Sequence, residues 1–146
     1  MPATQIPIFP KAFIKCTMLV CAIFLVNCTF TTTRTKNPVF KITTDQLQRD
    51  LNHLVSCENM DVDGREISTN GKTKSELEID IVNGRDIPGN QNEMISLGKS
   101  IASDLKKSLK DQGEYGTYKV RFVTKETNDG ITRTNWNEIA FQAEEL

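Results

Sequence analysis

Two dipeptides constrain this chain more than anything else in it: Asn70-Gly71 and Asp129-Gly130. Asn, Asp and Gly tolerate positive φ, so each pair suits the tight two-residue turn of a β-hairpin, and a two-residue turn dictates the register of its strands. Around the first turn, facing residue numbers sum to 141. Val62 then faces Ile79, Met60 faces Ile81 and Gly64 faces Leu77, all on one side. Around the second turn the sum is 259, which sets Tyr118 opposite Phe141 and Val120 opposite Ile139, with Arg121 opposite Glu138 on the other side. Turn chemistry and apolar alternation agree, predicting strands over 59–69 with 72–83 and over 116–127 with 131–142.

Each hairpin follows a helical pattern. Thr43 and Gln46 have capping-box spacing, Ile42 and Leu47 stand at staple positions, and Leu47, Leu51, Leu54 and Val55 make one apolar stripe, predicting a helix over 44–57. Asn90 and Glu93 open a second helix over 91–111, with Gly113 as its stop. Met94, Leu97, Ile101, Leu105 and Leu109 form its stripe, Gly98 and Ala102 permit close approach to a sheet, and Lys106, Lys107 and Lys110 suit the negative end of its dipole. The order α-β-β-α-β-β predicts an α+β two-layer sandwich: a four-stranded, antiparallel-rich sheet with both helices on one face. Parallel and antiparallel placements of the two hairpins fit this pattern equally.

Composition supports one folded domain. Charged residues are 25% and hydrophobic residues 38% of 146, a globular balance. All 19 acids and 16 of the 18 Lys and Arg lie after residue 28, so that part carries sixteen cations against nineteen acids, a net of −3. Such a chain is not a basic nucleic-acid binder.

Residues 1–27 read as a signal peptide. Lys11 and Lys15 precede the apolar run CTMLVCAIFLV, residues 16–26, which is too short to span a bilayer and suits a signal h-region. The run ends in Leu25-Val26-Asn27-Cys28, and here the sequence resembles the lipobox of bacterial lipoproteins. Leu25 and Val26 fit that pattern, whereas Asn27 replaces its usual small residue. The resemblance implies a lipid on Cys28, cleavage before it and a stable membrane anchor. Thr29, where the family's inner-membrane signal is Asp, points to the outer membrane; cleavage without lipid would instead give a secreted or periplasmic soluble domain. Residues 28–42 are then lipidated cysteine and tether, with five Thr in 29–35, and 43–146 the domain. Loss of Cys16 and Cys21 with the signal leaves Cys57 alone, more in keeping with a small buried hydrophobe than a nucleophile.

Few residues invite chemistry. His53, the one histidine, falls on the flank of the first helix with no nucleophile motif around it. The stretch DVDG, residues 61–64, begins like a calcium loop but lacks the later ligands. The loop NGRDIPGN, residues 83–90, leads to free amides at a helix start, but Glu93 competes there with any anion. The first register also sets Asp61 opposite Asp80 and Asp63 opposite Glu78, and like charges directly opposed are destabilising. Lys119, Arg121 and Lys125 share the outward side of the second hairpin and can offset them as an intrasheet network; the sharper alternatives are a weak cation site or a docking surface. Trp136 faces Val123 on that same outward side, a plausible contact anchor unless a bulge, Phe30 or Phe40 covers it.

The sequence therefore predicts a non-catalytic envelope lipoprotein without cofactor or bound metal, touching a protein partner through Trp136, Val123, Lys119 and Arg121. The alternatives are an envelope enzyme or small-ligand carrier using the acids Asp61, Asp63, Glu78 and Asp80, and a module that presents a sheet edge.

Overall fold

The structure, a computed structural model, describes residues 29–146. Cys28 and the predicted signal peptide lie outside the described residues. Strand β1 (Thr31–Thr35) is followed by helix α1 (Thr44–Leu51) and the hairpin β2 (Asn59–Thr69) and β3 (Lys72–Val82). Helix α2 (Gln91–Ser108) then leads to the hairpin β4 (Thr117–Asn128) and β5 (Ile131–Gln142), and a short 3-10 turn, Ala143–Glu145, follows.

The hairpins form in the register their turns dictate. Asn70 and Asp129 have φ of 50° and 51°, Gly71 and Gly130 of 79° and 76°, the left-handed pairs that such turns need. Asn59 to Thr69 pair without interruption with Val82 to Lys72, and Thr117 to Asn128 with Gln142 to Ile131.

The whole is α+β, but the sheet has five strands in the order β1-β2-β3-β4-β5, not four. The fifth comes from residues assigned by sequence to the spacer. Thr31 to Thr35 pair antiparallel with Thr69 to Arg65. Threonine is β-branched and favours extended backbone, and the free edge of β2 offers a row of unpaired amides and carbonyls, so a polar Thr-rich segment becomes an edge strand. The sheet is also mixed. β3 and β4 run parallel, Glu76 to Val82 beside Thr117 to Val123, because α2 carries the chain back across the sheet between them.

Both helices pack on one face. Leu77, Ile79 and Ile81 of β3 and Tyr118, Val120 and Phe122 of β4 share a core with Leu47 and Leu51 of α1 and Ile101, Ala102 and Leu105 of α2. Gly98 makes the close approach its size permits: a Cβ there would meet the Phe141 ring at 3.4 Å. Helix α1 is shorter than its apolar stripe. Beyond Leu51 the chain continues in tight turns, Leu54 N and Val55 N both bonding Leu51 O, so Leu54 and Val55 still reach the core. Thr43 and Asn90 cap the helices as predicted, accepting from Gln46 N and Asn92 N. Leu109 lies just past α2 in extended backbone, fully buried and bridged to Phe40.

Because β3 and β4 are parallel, the two turns lie at opposite ends of the sheet. The Asn70-Gly71 end is a three-stranded ribbon of β1, β2 and β3, with β4 joining only at Glu76. At the other end β4 and β5 run on past Val82 as a two-stranded arm whose residues 124–135 are all exposed.

Candidate functional site: the outward face of the sheet

The face away from the helices is built from alternate residues of β2, β3, β4 and β5, and its rows follow from the registers. One row is Asn59, Val82, Val123, Trp136; the next Asp61, Asp80, Arg121, Glu138; the next Asp63, Glu78, Lys119, Ala140; the last Arg65, Glu76, Thr117, Gln142. Like charges therefore do oppose one another between β2 and β3, as the sequence predicts.

The parallel neighbour offsets them. Arg121 sits directly beside Asp80 and grips it with two hydrogen bonds, one of them from Nε to Oδ1 at 2.7 Å. The same guanidinium reaches Glu78 Oε1 at 3.2 Å, and Arg65 Nη2 donates to that oxygen at 2.8 Å. Glu78 is the one charged residue buried among the described residues, 6% exposed, and it lies between two guanidinium groups. Burying a carboxylate costs desolvation, and the two guanidinium groups beside Glu78 supply the close partners that offset it. Lys119 bonds Glu76 at 2.8 Å and approaches Glu138 at 3.9 Å. The hydrogen bond to Glu76 raises the Lys119 ammonium above its ordinary value, with burial acting against it; the hydrogen bond to Asp80 does the same for Arg121. Lys125 lies on the arm, outside this network, and its amide is held by Asn83 Oδ1 at 2.7 Å.

The network decides the fate of the acidic residues. Glu78 and Asp80 are engaged by arginine, leaving Asp61 bonded to Asn59 Nδ2 at 3.0 Å, and the Asp63 carboxylate without an ion pair or hydrogen bond among the described residues. No group of three or more His, Cys, Asp or Glu among the described residues has the geometry to hold a metal. The four acids share a face but do not converge on one point.

The row beyond the network is apolar from β3 to β5. Val82 and Val123 are 4% and 5% exposed, yet neither belongs to the helix-side core, and Trp136 beside them is 58% exposed. Unbroken pairing across Trp136 means that no bulge turns it inward. Phe40 packs against the core on the helix side and cannot cover it.

The remaining candidates separate from this face. His53 stands just past α1, exposed, with Nδ1 against the Asp50 carbonyl and Nε2 4.0 Å from Asp104. Cys57 is half-buried in a shallow depression with Ser56, Glu58, Asn83 and Arg85, and burial pushes its thiol pKa up, away from thiolate chemistry. Sequence reasoning missed the roles of Arg65 and Asn83. Asn83, at φ 50°, donates to Glu58 at 2.6 Å and accepts from Lys125 N, extending the β3–β4 junction by side chain after the strand ends. Its position straight after a strand in an Asn-Gly pair is the one local signal of that role.

No helix among the described residues is long and apolar enough to cross a membrane. Comparison of the chain with known protein families, with curated proteins and with solved structures finds no match.

Proposed function

We propose that this protein is a small envelope lipoprotein, anchored through Cys28, whose folded domain has no catalytic role and contacts a protein partner through the outward face of its sheet. The observation that carries the contact surface is Trp136: a large aromatic side chain, 58% exposed, beside the buried pair Val82 and Val123 on a face that neither helix covers. An aromatic residue beside an apolar floor, bordered on one side by paired charges, has the anatomy of an interaction anchor. The lipobox-like Leu25 to Cys28 supports the anchor, and absence of Asp at Thr29 favours the outer membrane.

Two measurements test this reading. Intact mass of the detergent-extracted protein should give a product beginning at Cys28 with added acyl mass, lost in Cys28→Ala; an unlipidated product overturns the anchor. For the surface, photo-crosslinking from position 134, next to Trp136 on the outward face of β5, should capture a discrete partner in the native membrane. Trp136→Ala should abolish that capture while leaving the circular-dichroism spectrum unchanged; an identical captured set would remove the sheet face from the function.

A further inference from the structure

The start of β1 fixes which end of the domain would lie at a membrane. Thr31 pairs with Thr69, next to the Asn70-Gly71 turn, and Cys28 precedes Thr31 by three residues. Three residues reach at most about 10 Å. Residues 31–35 are therefore no flexible spacer but a strand built into the sheet, and a lipid on Cys28 would be tied to one end of it.

We infer that the three-stranded end of the sheet, at the turn Asn70-Gly71, docks on an anionic lipid bilayer with the strands rising away from it. This inference rests on the lipidation of Cys28 proposed above. Charge complementarity supplies the second argument. In the three rows nearest the turn, residues 31–33, 67–69 and 72–74, the only charged side chains are Lys72 and Lys74. Both are exposed on the outward face, and neither has an ion pair among the described residues. A domain of net negative charge thus presents an acid-free, cationic end where its chain would enter the membrane. A lysine close to an anionic surface strengthens its attraction about fivefold. The opposite turn, on the β4–β5 arm, carries Lys125 and Arg133 against Glu126 and Asp129 and has no net charge. It lies about 50 Å further along the strands at ~3.4 Å per residue. The Val82–Val123–Trp136 row falls between, about 34 Å above the Lys72 row on the same rise, held off the lipid and open to a partner.

The test uses the full chain, extracted with detergent and reconstituted in vesicles of phosphatidylcholine and phosphatidylglycerol containing a headgroup-linked quencher. Fluorophores are placed by Thr73→Cys or Thr32→Cys at the proposed docking end and by Asn128→Cys at the arm, on a Cys57→Ala background, and intact mass is taken on each preparation. Acylated protein should show labels at 73 and 32 quenched several-fold more than the label at 128. Lys72→Glu with Lys74→Glu should lower that quenching and abolish its dependence on salt. Equal quenching at both ends, or quenching indifferent to the double charge reversal, on protein whose mass confirms acylation overturns the docking geometry and leaves the anchor standing. Absence of acyl mass overturns both.

Discussion

Tyr115 donates a 2.6 Å hydrogen bond from its hydroxyl to the backbone carbonyl of Lys36, seventy-nine residues earlier in the chain. The bond fastens the segment leaving β1 onto the helix-side face of the sheet, where Lys36 N also bonds Gly64 O at 2.8 Å. The approach is close enough that a Cβ on Gly64 would collide with both Lys36 O and the Tyr115 hydroxyl.

Gly64→Ala should therefore destabilise the domain by about 3 kcal/mol, since the obstructing atom is backbone and cannot rotate aside. Tyr115→Phe should cost about 1 kcal/mol, for the lost bond and the unpaired carbonyl. Urea denaturation checks both, and a Gly64→Ala protein as stable as wild type would mean that β1 and its exit do not pack on the sheet as described.

Arg121 holds the charged face together. Its removal leaves Asp80 opposed to Asp61, and the buried Glu78 to Asp63, with one guanidinium fewer. Arg121→Met should cost about 2 kcal/mol, between the values for exposed and fully buried pairs because its side chain is 27% exposed. Adding Glu78→Gln and Asp80→Asn should restore part of that loss, because the repelling charges go with their partner. Thermal melts of the single and triple variants measure the recovery; a triple variant less stable than Arg121→Met would show that like-charge repulsion is not the cost.

Tyr118 is fully buried, and its hydroxyl has no hydrogen-bond partner among the described residues. Tyr118→Phe keeps the ring and removes the unpaired group, so it should stabilise the protein by about 1 kcal/mol, contrary to the usual direction for a core substitution. A destabilised variant would mean that the hydroxyl finds a partner in solution.

The two tyrosines also set an alkaline limit. Burial is the main cause that pushes both phenols up from 10 to about 12, with Glu114 adding to each. A phenol with a raised pKa contributes stability that is intact below pH 10 and is lost as pH rises toward 12. The melting temperature should fall across that window. Phenolate absorbance near pH 11 should be nearly absent in the native protein and strong in urea, and these are the chain's only tyrosines, so the signal is unambiguous.

Local chemistry alone determined the hairpins. Asn-Gly and Asp-Gly admit one tight turn, period-two alternation admits one register about it, and with that register came the row that puts Trp136 beside Val123 and the opposition of Asp61 to Asp80. The helices were legible for the same reason, since their caps and apolar stripes lie within a few residues. Three features depended on contacts between distant segments. The parallel joining of β3 and β4 places Arg121 beside Asp80, and neither turn encodes it. The addition of β1 to the sheet arises because a polar Thr-rich segment meets an unsatisfied edge, which no property of its own sequence demands. The burial of Glu78 between Arg65 and Arg121 follows from the first, since Arg65 comes from the same hairpin and Arg121 arrives only with the parallel neighbour.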